Sequence, residues 1–225
     1  MVLYMALKNI SEKLSPGALL TIEGIDGSGK TTVARALSAY FSHYISVVLT
    51  REPGATLLGK HIRSILHERT FSLNSLSEFF LFAADRADHV TSIIKPALFN
   101  GSLVISDRMA DSSLAYQGYG RGLDVEMITS VNNWILDGIK PDLTLYIRID
   151  YATAFERMLA RAEKLTSFEQ EKELFFGRVI EGFDTIFNQR ANVIVIDGAQ
   201  TQEQVVKQSI DHISAWLINR YGLQL

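Results

Sequence analysis

The sequence predicts an α/β fold, a five-stranded parallel sheet with helices on both faces, and three observations lead there. Five short runs rich in Val, Ile and Leu recur along the 225 residues. Between them lie helix-length stretches with apolar residues at three- and four-residue spacing. A glycine-rich loop joins the first run to the first such stretch. Strand and helix in alternation are what parallel strands with right-handed crossovers produce.

The runs are Ala18–Ile22, Ile45–Leu49, Leu103–Ser106, Leu143–Ile149 and Val193–Ile196. Each is continuously apolar and reads as a strand buried on both faces. Thr32–Tyr44 reads as the helix after the first strand. Leu57, Ile62, Ile65 and Leu66, and then Leu76, Phe79, Phe80 and Ala83, have the spacing of a helix with one buried face. No internal repeat, low-complexity tract or linker interrupts the chain, so 18–225 reads as one domain with 1–17 as a short extension.

At 47% apolar residues the chain can bury a substantial core. A net charge of −3 argues against a broad nucleic-acid-binding face. The absence of cysteine excludes disulfides and suits a reducing cytoplasm. The N-terminal stretch lacks the basic start of a signal peptide, and no run approaches the ~18 apolar residues of a membrane span.

The stretch "EGIDGSGKTT" places Gly24, Gly29, Lys30 and Thr31 in the pattern G-x-x-x-x-G-K-[ST]. Glycines let the backbone curl so that several N–H groups converge on a phosphate, and the following helix adds its positive end. Lys30 adds a full charge, and the Thr31 hydroxyl suits a magnesium ion that also touches the phosphates. Gly24, Asp26, Gly27, Ser28, Gly29, Lys30, Thr31 and Thr32 are therefore expected to hold ATP.

Ligands of such sheets sit outside the carboxyl ends of the strands. Asp107 follows the third run, where a second magnesium ligand is expected, and Arg108 stands next to it in place of the acid that would orient a hydrolytic water. Arg51 in "TREPG" lies at the second strand's end before a Pro-Gly turn, and its planar fork suits an acceptor phosphate. Residues 156–173 are strongly polar, with Arg157 and Arg161 one turn apart and Lys164 behind them. That segment reads either as a solvated helix or as a lid bringing cations to the phosphates. Phe82 and Arg86 are spaced to stack on a flat ring and bond its edge.

"EGIDGSGKTT", "TREPGAT", "FLFAADRADHV", "SDRMADSSLAYQGYGRGL" and "PDLTLYI", in this order, resemble the thymidylate kinase family in its bacterial form over nearly the whole chain. The resemblance implies the nucleoside monophosphate kinase version of the phosphate-loop fold, with a short helical lid. It implies phosphoryl transfer from ATP to dTMP with Mg2+, and a homodimer through helices including the Phe-rich one. Arg51 and Arg108 would hold the acceptor phosphate, with Asp26 and Glu52 near the reacting groups and magnesium. Phe82, Arg86, Ser113 and Gln117 would meet thymine, and Tyr116 the sugar. The segment after Asp197 would border adenine. Arg157 and Arg161 would supply the lid cations, Lys164 standing in where the family's later Asp-Arg is replaced by Thr166-Ser167.

Two other reactions fit the same loop. A hydroxyl acceptor would need a carboxylate base, for which Glu52 or Asp26 is available. A different monophosphate acceptor would keep the machinery and change the base pocket. A GTP-dependent switch is disfavoured because Asn-Lys-x-Asp and Thr-Lys-x-Asp are both missing.

Overall fold

The computed structural model describes residues 13–67, 71–160, 165–188 and 190–225. Five parallel strands, β1 (Ala18–Glu23), β2 (Val47–Arg51), β3 (Leu103–Asp107), β4 (Leu143–Arg148) and β5 (Val193–Asp197), lie in the order β2-β3-β1-β4-β5. The first half of the chain carries α1 (Lys30–Phe41), α2 (Leu57–His67) and α3 (Ser75–His89), the last running through a π-helical turn at Val90–Ile94 into α4 (Lys95–Phe99). The second half carries α5 (Ala110–Ser113), a π-helical segment Leu114–Gly120, α6 (Val125–Leu136), α7 (Tyr151–Ala160), α8 (Glu173–Phe187) and α9 (Gln202–Tyr221).

Alternation along β1 sorts the core onto two faces. Ala18, Leu20 and Ile22 pack with Val33, Leu37 and Phe41 of α1 and with Ile213 and Leu217 of α9. Leu19 points the other way, joining Val104 of β3, Val90, Ile94 and Ala97. Helices therefore cover both faces. Phe176, Phe183 and Phe187 of α8 pack with Tyr146 of β4 and Tyr116 in a third cluster. Thr21 and Thr144, both buried, satisfy each other through a 2.9 Å hydroxyl contact between β1 and β4.

The strands differ from the apolar runs in a way that bears on chemistry. β1, β2, β3 and β5 run on to Glu23, Arg51, Asp107 and Asp197, while β4 ends at Arg148, before Ile149. Polar residues at the carboxyl ends are thus still in the ladder, Ile22 opposite Asp107 and Arg51 opposite Asp107. β2 starts at Val47, leaving Ile45 outside, and α1 spans Lys30–Phe41 instead of Thr32–Tyr44. β2 and β5 are edge strands with Leu49 and Val195 exposed, so the expectation of burial on both faces fails for them.

Candidate active site

The loop between β1 and α1 takes its shape from glycines. Gly24, Gly27 and Gly29 have φ of 144°, 81° and 94°, a region that costs other residues strain. A Cβ on Gly27 would lie 2.3 Å from the Ala154 carbonyl oxygen, so α7 approaches the loop as closely as it does only because that side chain is absent. The first N–H groups of α1 have no intrahelical acceptor, and helix and loop present them together to an anion.

Lys30 Nζ donates to the Ile25 carbonyl at 2.6 Å, and burial brings its ammonium down to about 8. Thr31 Oγ1 donates to Asp107 Oδ2 at 2.5 Å, so the hydroxyl and the carboxylate expected to share magnesium already meet.

Arg108 stands at the centre of the site in a left-handed conformation with φ 74°. Such a backbone costs a non-glycine residue on the order of 1–3 kcal/mol and persists only where its surroundings impose it. Here they do: Arg108 N donates to Ile22 O, Ser106 Oγ to Arg108 O, and Met109 N to Glu23 Oε1 at 2.8 Å. The Arg108 guanidinium donates to Gly24 O, Ser112 Oγ and Asp26 Oδ1, the last at 2.7 Å, and lies 5.0 Å from the Tyr116 ring centroid. Tyr116 OH in turn donates to Asp26 Oδ2 at 3.0 Å. Burial opposes charge on Asp26, but Arg108 and Lys30 outweigh it and hold the carboxyl well below the usual carboxylate range. Beneath them Glu23 is fully buried, and burial with the charge of Asp111 pushes its carboxyl up to about 8.

The "TREPG" turn is fixed by a buried polar chain. Glu52 accepts from Arg86 Nε at 2.9 Å and contacts His89 Nδ1 at 3.0 Å, while His89 Nε2 lies 2.6 Å from Thr50 Oγ1. Arg86 also donates to Asn132 Oδ1, Ser113 Oγ and Met109 O. Sequence spacing assigned Arg86 to a base edge, and the family resemblance put Glu52 near the reacting groups. In the fold they bind each other, and four of the five guanidinium N–H groups are committed to protein. Arg51, by contrast, is exposed and its guanidinium makes no hydrogen bond among the described residues. Asp85 Oδ1 accepts from Gly54 N at 3.0 Å and fixes the turn that follows.

The loop, Arg51, Glu52, Arg86, Asp107 and Arg108 open onto one cavity of about 620 Å3. Every predicted site residue lines it except Gly24, whose carbonyl accepts from Arg108, and Arg161, which with Lys164 falls outside the described residues. Lys30, Arg51, Arg63 and Arg108 line the cavity together with Phe82, Ser113, Tyr116 and Gln117, and Tyr116, whose hydroxyl meets Arg108 at 3.2 Å, joins the two groups. Gln117 Nε2 donates to buried Glu78 at 3.0 Å, which leaves the amide oxygen for the cavity.

Within the polar segment 156–173, the described residues are the last turns of α7 (Tyr151–Ala160), the turns of 165–172 and the start of α8. Arg157 donates to the carbonyls of Gly198 and Gln200 at 2.7 and 3.1 Å, which ties it to the loop after β5. The turn beyond returns to the acceptor end: Ser167 Oγ donates to His67 O, and Phe168, 4% exposed, lies 5.8 Å from the Phe82 ring and 6.2 Å from Tyr116.

Sequence reasoning missed Phe168, Arg63 and Glu23. Arg63 of α2 donates to Pro53 O at 3.0 Å and lines the cavity near the charges of Arg51, Asp107 and Asp26. In sequence it is a polar residue beside buried Ile62, and only the docking of α2 on the Pro53–Gly54 turn makes it part of a site.

Comparison with known proteins agrees with this geometry. A family model described as thymidylate kinase matches residues 22–210. The thymidylate kinase of Halothermothrix orenii is 38% identical over 205 residues, covering 90% of this chain and 99% of that protein. That of Desulfovibrio desulfuricans is 41% identical over 210 residues, covering 89% and 97%. The crystal structure of the thymidylate kinase from Ehrlichia chaffeensis superposes with a TM-score of 0.70 at 36% identity, over 90% of this chain and 99% of the other. With a glycine-rich loop of the phosphate-binding pattern, and with a family model and relatives matched over nearly their full length, this chain belongs to the thymidylate kinase family.

Proposed function

We propose that the protein transfers the γ-phosphoryl group of ATP to dTMP, giving ADP and dTDP. The observation that carries this reading is that Lys30, Arg51 and Arg108 share one cavity with Phe82 and Gln117. A phosphate monoester has its second pKa near ~6, so the acceptor oxygen is already an anion and needs no general base. What opposes reaction is repulsion between two anionic groups, and catalysis is then positioning plus charge neutralisation. The loop and α1 hold the donor phosphates, Lys30 leaving Ile25 O for them. Arg51 and Arg108 hold the acceptor phosphate in line. Asp26 and Tyr116 keep the Arg108 guanidinium aimed.

Phe82 offers a flat face to the base. The Gln117 oxygen accepts from the N3–H of thymine, whereas cytosine presents an acceptor at that atom. Arg86 shapes the pocket through Ser113 and keeps one N–H for the ligand.

The oxygen donors Thr31, Asp107 and Asp26 fit Mg2+, which keeps most of its waters and takes one or two protein ligands beside phosphate oxygens. Bound there, the ion neutralises the donor phosphates.

Residues 156–173 serve as the lid, with Arg157 held to the loop after β5 and with Arg161, or Lys164 in its stead, as the cation for the transferring group. Leu76, Phe80 and Ala84 form an exposed apolar stripe on α3 beside Leu58 and Ile65 of α2, a surface that suits a second copy of the chain. Among the described residues no helix is long and apolar enough to cross a membrane, and the reaction belongs in the cytoplasm with its nucleotides.

ADP release from Mg-ATP against dTMP, dUMP, UMP, CMP, AMP, GMP and thymidine, each alone, tests the proposal. Turnover fastest with dTMP and abolished by EDTA is expected. Turnover with thymidine alone would refute the anionic-acceptor mechanism.

A further inference from the structure

Arg121 follows the π-helical segment that supplies Tyr116 and Gln117 to the cavity, and its backbone N–H donates to Tyr116 O at 2.9 Å. Its side chain turns from the phosphates and gathers three parts of the fold. Nε and Nη2 donate to the two oxygens of Glu78 on α3 at 3.1 and 3.2 Å. Nη1 meets Glu171 at 2.6 Å. The guanidinium carbon lies 4.6 Å from the Phe175 ring centroid and 5.7 Å from that of Phe168. A planar fork makes all of these contacts together, and an ammonium does not.

Two of the partners belong to the acceptor pocket. Glu78 is also the carboxylate that takes the Gln117 amide at 3.0 Å. Glu171 sits in the same turn as Phe168, whose ring closes on Phe82 and Tyr116. We infer that Arg121 is a positioning residue that clamps the turn carrying Phe168 against the acceptor pocket and, through Glu78, keeps the Gln117 oxygen facing the ligand. The inference rests on the acceptor reading above. It makes closure of the segment beyond α7 and recognition of the base parts of one arrangement.

The clamp has a buried and an exposed half, which makes it testable without unfolding the protein. The Glu78 side chain is 1% exposed, so removing Arg121 would take a cation from a buried carboxylate. Glu171 is 27% exposed, and Glu171→Gln releases only the turn.

Kinetics with dTMP and ATP, and trypsin cleavage after Lys172 without ligand, are measured on the wild type, Glu171→Gln and Arg121→Lys. Glu171→Gln is expected to melt within about 2 °C of the wild type, to be cleaved roughly five-fold faster, and to raise the dTMP KM roughly five-fold with the ATP KM within about two-fold. Arg121→Lys, which loses the fork, is expected to raise the dTMP KM further. A Glu171→Gln protein cleaved at the wild-type rate would overturn the clamp, and faster cleavage with an unchanged dTMP KM would overturn its role in acceptor binding. A wild type inactive on dTMP would instead sink the acceptor reading, and the cleavage rates would still decide whether the clamp exists.

Discussion

Replacing Glu23 by glutamine changes the protein's pH dependence while leaving its contacts in place. Glu23 is fully buried, accepts from Met109 N at 2.8 Å, and lies 2.6 Å from Ser112 Oγ. Burial and the nearby Asp111 raise its carboxyl from 4.5 to about 8. The unfolded chain releases this proton near 4.5 and the folded chain holds it to about 8, so stability falls as pH rises through that window and levels off above it. One pH unit inside the window costs about 1.4 kcal/mol, and the whole window on the order of 5 kcal/mol. Glutamine reproduces the neutral acid: its oxygen accepts from Met109 N and its NH2 donates to Ser112 Oγ. Urea unfolding of both proteins at about pH 5.5, 6.5 and 7.5 should show Glu23→Gln gaining roughly 1 kcal/mol per unit on the wild type. A stability difference that stays constant across those values would refute a protonated Glu23 and the burial argument behind it.

Lys30→Ala should lower turnover on the order of 100- to 1,000-fold, because a charge aimed at the transferring phosphate is lost from a water-poor site; ADP release with saturating substrates reads it, and circular dichroism should show the fold retained. Arg86→Ala should raise the dTMP KM more than the ATP KM and also cost roughly 3–5 kcal/mol of stability, since Glu52 loses its buried partner; denaturant titration alongside kinetics separates the two effects. Gly27→Ala should weaken ATP binding and cost roughly 2–4 kcal/mol, because φ is 81° and the new methyl meets the Ala154 carbonyl; calorimetry with ATP and thermal unfolding check it.

The order and type of the main elements were legible because continuous apolar runs and helical spacing are local properties of the chain. Strand ends were not, because Glu23, Arg51, Asp107 and Asp197 extend their strands through pairing with neighbours that are remote in sequence. The phosphate loop was legible for the same reason the strands were: glycine backbone freedom and the helix start lie within a few residues of each other. Arg86 was half legible. Its spacing from Phe82 placed it at the acceptor end, but its partners Glu52, Asn132 and Ser113 come from three other parts of the chain.

The sequence by itself determined the alternating architecture, the nucleotide-binding loop and the set of cations and carboxylates at the sheet's carboxyl edge, since each depends on residues adjacent along the chain. Only the tertiary structure decided which charges are already paired. Asp26 binds Arg108, Glu52 binds Arg86, Arg157 binds the loop after β5, and Arg51 keeps its fork free among the described residues. It also brought Phe168 and Arg63 to the pocket from a turn and a helix whose sequence carries no sign of it, and set Arg121 on Glu78 beside that pocket. The physical reason is that the pairing and burial of a charge depend on distances between elements, which packing sets and no local pattern encodes.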